Sequence, residues 1–477
     1  MIPVSENIKS YLNSLYGENA ASGFIDFIKR RPTQYIRINT LKTDKPILRK
    51  RLQEDFSIIT EEIESIPNAL KIISGNELTG KTIEHITGQY YIQGLSSMIP
   101  PLILSPGEND KTLDLCAAPG SKTTEISELM KNRGTLAANE VAMDRVKMLI
   151  YNIDRMNLMN TGTLHYKGEY LSKLFPNYFD KILVDAPCSG LGIMQKKEEV
   201  SNWWSLDRVE RLADLQTRLL VAAIKMLKAG GELVYSTCTL TPEENEFVIS
   251  KILDKYPVEI QDIELPIQSH EALLQFGNMK FHPSISKARR IVPWEVDSDG
   301  FFIAKIKKTG ETNSPGSFNI AEGEKKFINN NHKDLKKLLS DTAERFGIDD
   351  EIFSQYKYIK NRNDIFFADK QWEMDNLSVF ERIGTNFGVM DKSGSITLNT
   401  QAAQVLQNFI TKNIFYIETH DELKKYLEGG IIKRTSSLSG QCVVKYRDFI
   451  LGTGIITNDG LKSRFPRAKR TQNISYL

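Results

Sequence analysis

The chain has 477 residues, of which 40% are hydrophobic and 26% charged, with 62 basic against 60 acidic side chains for a net charge of +2. These fractions are those of a globular protein, which excludes a fully disordered or fibrous chain, and the length predicts about three domains. Mean hydropathy is −0.33, no apolar run reaches the roughly 18 residues of a membrane span, and four cysteines are too few for a disulfide scaffold.

Residues 1–105 mix short helical and strand patterns and predict a small α+β domain. Gln34 to Leu41 alternates polar and apolar residues as a half-buried strand does, and Ser96 and Ser97 predict the cap of a helix running to Leu104. Ser105-Pro106-Gly107-Glu108-Asn109-Asp110 is a turn-rich break. From 106 to 308 short apolar strands alternate with helices. The strands are Thr112–Leu115, Gly134–Asn139, Asp180–Asp185 and Glu232–Thr237; the helices include Arg145–Met156 and a long amphipathic one over 206–228. Repeated strand–helix units predict an α/β domain whose parallel sheet has helices on both faces. Arg290–Val292 and Phe301–Ala304 flank a turn and predict an antiparallel hairpin. Residues 309–325 read as a linker, 326–390 as an accessory domain and 391–477 as a terminal domain. From Lys424 to Arg470 there are eleven basic and three acidic residues, a local charge of +8. With Tyr446, Phe449 and Phe465 nearby, this cluster predicts a phosphate-binding surface.

In an open parallel sheet, ligands bind beyond the carboxyl ends of the strands. The first strand of the α/β domain ends at Cys116-Ala117-Ala118-Pro119-Gly120-Ser121-Lys122, whose small residues allow close backbone approach. G-x-G-x-x-G and the phosphate-loop pattern are both absent, so a nucleoside ligand without a pyrophosphate fits better. Glu140 follows the loop glycine by 20 residues, at the end of the second strand, where a carboxylate accepts hydrogen bonds from ribose hydroxyls.

Two cysteines lie just past two further strand ends, in Asp185-Ala186-Pro187-Cys188-Ser189-Gly190 and in Ser236-Thr237-Cys238-Thr239. Both segments project to the sheet edge of the cofactor loop, so Asp185, Cys188 and Cys238 are expected to converge. Methylation at C5 of a pyrimidine needs this set. A thiolate adding to C6 breaks aromaticity and makes C5 nucleophilic, a carboxyl group at N3 supplies a proton, and a base removes the C5 proton so that the thiol can leave. The six histidines show no ligand spacing, and no metal is expected. Cys442 reads as a small buried hydrophobe.

The segments Asp114–Thr123, Asp185–Gly190 and Tyr235–Thr239, with Arg37-Ile38-Asn39-Thr40-Leu41 and Gly300-Phe301-Phe302, resemble the motifs of the Sun/Nop family of RNA cytosine-C5 methyltransferases over roughly residues 30–307. The resemblance implies a Rossmann-like S-adenosylmethionine-dependent core, with Cys238 as nucleophile, Cys188 assisting product release and Asp185 bordering both cofactor and base. It places cofactor contacts at Cys116, Ala117, Ala118, Pro119, Gly120, Ser121, Lys122, Glu140, Arg145 and Asp185. Length and C-terminal extension are most similar to the family's bacterial small-subunit rRNA branch. Leu451-Gly452-Thr453-Gly454 with Gly460-Leu461-Lys462 is similar to that branch's PUA-like RNA-binding module. One departure is Lys167, where the family usually has an acid on the adenine side; Glu169 is the nearest carboxylate.

The implied substrate is 16S rRNA or the small ribosomal subunit, acted on by a cytoplasmic monomer that binds no membrane. The alternatives are the same chemistry on tRNA and a non-catalytic ribosome-assembly factor. Trp203 and Trp204 read either as a surface for a flipped base or as core. Lys287, Arg289 and Arg290 read either as phosphate contacts or as a solvated face.

Overall fold

The computed structural model describes residues 4–312, 325–328, 332–392, 394–467 and 470. Most of the expected linker, 313–324, lies outside the described residues. The chain begins with two antiparallel helices, α1 (Glu6–Tyr16) and α2 (Glu18–Lys29). There follow β1 (Tyr35–Ile38), α3 (Lys45–Phe56), β2 (Ile59–Glu62), β3 (Ala69–Ser74), α4 (Ile83–Ile86), β4 (Tyr90–Ile92) and α5 (Ile99–Leu104). The strands form an antiparallel sheet in the order β2-β3-β1-β4. The strand expected to be half-buried is buried at all four positions. Its polar residue faces protein instead of water: Arg37 donates to Glu128 at 3.1 Å and to Thr124 at 2.8 Å. Ser96 and Ser97 cap nothing. They lie in a single 3-10 turn, and α5 starts at Ile99 with proline in its first turn, where a missing N–H costs no hydrogen bond.

The α/β domain follows: β5 (Lys111–Asp114), α6 (Ser121–Leu129), β6 (Thr135–Asn139), α7 (Met143–Met156), β7 (Thr161–Leu164), α8 (Gly168–Leu174), β8 (Phe179–Asp185), α9 (Val200–Trp203), α10 (Leu206–Met226), β9 (Leu227–Thr237) and α11 (Glu246–Leu253). Strands β9-β8-β5-β6-β7 are mutually parallel. The order reverses between β5 and β8, which places the ligand crevice there. The apolar run Ile182-Leu183-Val184 serves two faces: Ile182 and Val184 pack in the core under α8, α10 and α11, and Leu183 packs with Ile126 of α6 and Ile99 of α5. Beyond β9 come β10 (Val258–Gln261), β11 (His270–Glu271), a small ribbon of β12 (Gln275–Phe276) and β13 (Met279–Lys280), β14 (Arg289–Ile291), α12 (Pro293–Val296) and β15 (Phe301–Lys308). The expected pairing of β14 with β15 is present, with one turn of helix, α12, in the connection.

The rest of the chain forms two five-stranded sheets. The first contains β16 (Phe327–Ile328), β17 (Tyr356–Asn361), β18 (Asp364–Asp369), β20 (Thr385–Met390) and β21 (Ile396–Leu398), with α13 (Lys333–Phe346) preceding β17. Between β18 and β20, β19 (Arg382–Ile383) leaves this sheet and pairs antiparallel with β7, adding an edge strand to the α/β sheet. Gly162 of β7 makes this possible, because a Cβ there would stand 2.5 Å from Trp372 and 2.7 Å from Phe380. The expected boundary at 390/391 is corrected: β20 and β21 are a hairpin across it. The polar stretch read as a division is the hairpin turn, closed by Asp391 N to Ser395 O at 2.9 Å. After α14 (Thr400–Val405), the last sheet comprises β22 (Ile414–Ile417), β23 (Ile431–Ile432), β24 (Gln441–Tyr446), β25 (Phe449–Thr457) and β26 (Gly460–Ser463), with α15 (His420–Glu428) between β22 and β23. This sheet shares one apolar core with β1, β3 and α3 of the N-terminal domain, and Arg51 pairs with Asp448 at 2.6 Å across the junction.

Candidate active site

The loop after β5 turns at Gly120, whose φ of +111° favours glycine and where a Cβ would meet Leu149 at 3.1 Å. Its carbonyls are held from α7: Asn152 donates to Pro119 O at 2.9 Å, and Arg145 donates to Ala118 O. Glu140, at the end of β6, is buried. It accepts from Ala142 N at 3.0 Å and pairs with Arg145 at 3.1 Å. Beneath the loop, Asp114 accepts from Thr123 at 2.7 Å, and burial pushes its carboxyl up to about 7.

These strand ends open into a cavity of about 630 Å³. Of the residues expected at the cofactor, Cys116, Ala118, Glu140, Arg145 and Asp185 border it. Ala117, Pro119, Gly120 and Ser121 belong to the same loop but do not border the cavity. Lys122 does not border the cavity either. Its ammonium is enclosed, 2.7 Å from Asp185 Oδ2, 3.0 Å from Ser97 Oγ and 5.1 Å from the Phe301 ring. Burial alone would lower the proton affinity of Lys122, but the Asp185 carboxylate raises it overall. Ser236 donates to the other Asp185 oxygen at 2.8 Å. Asp185 is therefore paired with a buried cation on one oxygen and hydrogen-bonded to a hydroxyl on the other. Lys167 and Glu169 border another part of the cavity, and Glu169 also pairs with Arg218 at 3.4 Å.

Cys188 and Cys238, from the loops after β8 and β9, both border the cavity, with their sulfurs 3.1 Å apart. The hydrogen bond with Cys238, together with burial, pushes the Cys188 thiol well up. A hydrogen-bond lock fixes the two loops to each other. Glu244 accepts from Ser189 N at 2.8 Å, Gln216 at 2.9 Å and Thr241 at 2.7 Å. Gln216 also donates to Pro187 O at 2.9 Å, and Ser189 and Thr239 hydroxyls meet at 2.8 Å. Burial pushes Glu244 up against the pull of these donors. The lock was not anticipated from sequence. One signal was available: Gln216 is a polar residue on the buried stripe of α10, with Val209, Ala213, Leu220 and Ala223.

Several expectations divide or fail. Trp204 is core, edge-on to Tyr11 at 5.1 Å, whereas Trp203 borders the cavity. Arg290 is no phosphate contact: it is buried, paired with Glu246 at 2.5 Å and donating to Leu240 O. Lys287 pairs with Asp262 at 3.1 Å. In the basic C-terminal stretch, Tyr446, Phe449 and Phe465 are buried and offer no stacking surface. Arg447 pairs with Asp55, and Arg434 with Glu418 at 2.9 Å and Glu422 at 3.2 Å. All three acids lie outside the Lys424–Arg470 window, so its +8 overstates the free charge. Lys424, Lys425, Lys433, Lys462 and Arg464 are exposed.

Residues 101–307 match the family model described as 16S rRNA methyltransferase RsmB/F. The chain is 34% identical over 480 residues to ribosomal RNA small subunit methyltransferase F of Vibrio vulnificus, covering 97% of this chain and 96% of that protein. It is 38% identical over 277 residues to the tRNA (cytosine(49)-C(5))-methyltransferase of Pyrococcus abyssi, covering 57% of this chain and 87% of that one. Among solved structures, a methyltransferase homologue from Pyrococcus horikoshii aligns with a TM-score of 0.57 at 33% identity, covering 64% of this chain and 96% of that one. No described helix is long and apolar enough to cross a membrane.

Proposed function

Because the chain belongs to the RsmB/F family of S-adenosylmethionine-dependent RNA cytosine-C5 methyltransferases, we propose that it methylates cytosine C5 in 16S rRNA through a covalent bond between Cys238 and C6. The observation that carries this reading is the pair of sulfurs 3.1 Å apart, bordering the same cavity as Asp185. A single thiol would suffice for addition; a second one beside it suits the later removal of the C5 proton.

The cavity fits the cofactor's chemistry. Glu140 is a buried carboxylate at its wall, suited to ribose hydroxyls, and the loop of small residues admits a nucleoside closely without a phosphate cradle. When bound, S-adenosylmethionine supplies an electrophilic sulfonium methyl group. The remaining work falls to this chain. Glu140 with Arg145, and the backbone at Cys116 and Ala118, hold the cofactor. The Cys188 thiol, hydrogen-bonded to Cys238, stabilises negative charge on the Cys238 sulfur, the form that adds to C6. Asp185, braced by Ser236 and Lys122, faces the pyrimidine edge, and the Lys122–Asp185 pair offsets charge developing at N3. Cys188 serves as base for the C5 proton only after its own thiol proton has passed to solvent; the C–H electron pair then restores the C5–C6 double bond and Cys238 leaves as the thiolate.

The substrate assignment follows the relatives that match nearly the whole chain. They are named for the small ribosomal subunit, whereas the match to the tRNA enzyme spans 277 residues. The C-terminal sheet, with its exposed lysines, is assigned the PUA-like RNA-binding role. Bisulfite sequencing of total RNA from cells with and without the gene tests the assignment. The expected result is loss of 5-methylcytosine from 16S rRNA. Loss confined to tRNA would move the substrate, and no loss in any RNA would favour an assembly factor.

A further inference from the structure

We propose that Trp203 and Arg208, with Lys197, form a stacking platform at the cavity for the RNA nucleotide adjoining the target cytosine. The proposal rests on the reading above, that an RNA base enters this cavity. All three residues border the same cavity as Cys188, Cys238 and Asp185, and all come from the stretch that joins the Pro-Cys loop to the first turn of α10.

The two tryptophans separate the structural role from the one available to RNA. Helix α9 ends at Trp203, and the backbone becomes extended at Trp204, with φ −70° and ψ 130°. That change sends the neighbours to different environments. Trp204 is enclosed in the core, at 5% exposure beside Tyr11, whereas Trp203 is half-buried, with part of its ring against the same apolar cluster and part at the cavity.

Arg208 lies over the Trp203 ring, 4.1 Å from its centroid, and enters no ion pair among the described residues. Local helix energetics do not account for it. Ser205 caps α10 and accepts from Arg208 N at 3.3 Å, so Arg208 sits in the first turn, where the helix dipole disfavours a cation. A guanidinium seated on an indole presents a flat, positively charged surface. Nucleobases stack on such surfaces, and the free N–H groups reach phosphate oxygens. Lys197 adds a second cation at the cavity. Its neighbours Glu198 and Glu199 do not border the cavity.

The cofactor already has its carboxylate and cation in Glu140 and Arg145, on a different element. A flipped cytosine, by contrast, leaves its neighbour without a stacking partner. An aromatic–cation surface beside the reaction site replaces that partner.

The test uses the full chain, 16S rRNA from cells lacking the gene, and S-adenosylhomocysteine as cofactor probe. Trp203→Ala should weaken RNA binding by roughly tenfold, the range expected for one lost stack, and raise KM for RNA by a similar factor. S-adenosylhomocysteine affinity should stay at the wild-type value, and the melting temperature should fall by only a few degrees, since Trp203 is half-buried and only partly packed against the core. Trp203→Phe should recover most of the RNA affinity, and Arg208→Gln should lose part of it with a shallower salt dependence. Equal weakening of the cofactor probe would make Trp203 part of the cofactor wall and overturn the proposal, as would unchanged RNA affinity in the alanine variant. Binding is read without turnover. An unaltered protein that binds RNA but methylates none would therefore fail the functional reading while leaving the Trp203 comparison decisive.

Discussion

The sulfur of Cys188 lies 3.1 Å from the sulfur of Cys238, the two loops that carry them following neighbouring parallel strands. At that separation the two thiols are hydrogen-bonded to each other, and the proposed mechanism gives them different tasks. The Cys238→Ala variant should lose methyl transfer by several orders of magnitude and keep its affinity for S-adenosylhomocysteine, because Cys238 lies outside the loop after β5. The Cys188→Ala variant should form the C6 adduct and fail to release it, so protein and RNA should migrate together on a denaturing gel. Substantial turnover by Cys238→Ala would remove it as the nucleophile. Clean turnover by Cys188→Ala with no trapped adduct would reduce Cys188 to packing.

Lys122 is expected to act through Asp185. Replacing it by methionine keeps the bulk and removes the cation, leaving Asp185 with Ser236 alone. We expect kcat to fall by roughly 10²-fold, with a smaller change in KM for RNA. The stability cost should be about 1–2 kcal/mol, below the figure for a fully buried pair, because Asp185 keeps 27% exposure. The pH dependence has a definite sign. The folded protein holds the Lys122 proton more tightly than the ordinary value of 10.5. The pair's stabilisation is thus complete below that value and is lost only as pH rises through the higher folded one. Between pH 6 and 9 the stability difference between wild type and Lys122→Met should be constant; a difference that changes steeply there would contradict the assignment.

The motif residues were legible because each lies at the carboxyl end of a strand in a repeating strand–helix pattern: Asp114, Glu140, Asp185 and Thr237 each end or directly follow one. What holds them was not. Glu244 reaches Ser189 across 55 positions of sequence and Gln216 across 28, and no local pattern encodes such distances. The boundary at 390/391 failed for a related reason. A polar stretch such as Asp391–Ser395 looks alike whether it joins domains or turns a hairpin. The pairing of β19 with β7 depends on Gly162 meeting Trp372, about 210 residues away, a contact only the fold creates. Arg37 and Arg290 misled because a charged residue in an alternating strand signals solvent unless a partner acid is in view.

Glu84 supplies a pH-dependent prediction away from the active site. It lies in α4, fully buried and without a hydrogen-bond partner for its carboxyl oxygens among the described residues, near Asp55, Arg51 and Arg447 where the N-terminal and C-terminal sheets meet. Burial pushes its carboxyl from 4.5 up to about 7. In the unfolded chain the group ionises first, so stability declines as pH rises from about 4.5 to about 7. Glu84→Gln removes this titration. The variant should gain about 2–3 kcal/mol on wild type between pH 5 and pH 8. Urea unfolding at the two pH values measures the gain, and parallel stability curves would show that Glu84 is not held protonated.

The C-terminal basic surface is best tested by charge, not by truncation. Removing residues from 396 onward would delete β21 from its hairpin and expose the core that β24 and β25 share with the N-terminal domain, so lost RNA binding would be uninterpretable. Lys424 and Lys425 on α15, Lys433 after β23 and Lys462 on β26 are exposed, and β23 pairs with β26 at Ile431 and Lys462. Among the described residues these lysines enter no ion pair, unlike Arg434 and Arg447. Changing all four to glutamine should weaken RNA binding without altering S-adenosylhomocysteine affinity or melting temperature. Each lost phosphate contact should reduce the slope of log affinity against log salt by about 0.7–0.9. The methyl-transfer step at saturating RNA should be unchanged, since none of these residues borders the cavity. Equal affinities and equal slopes for variant and wild type would make this surface merely solvated, and would leave RNA recognition to the residues around the cavity.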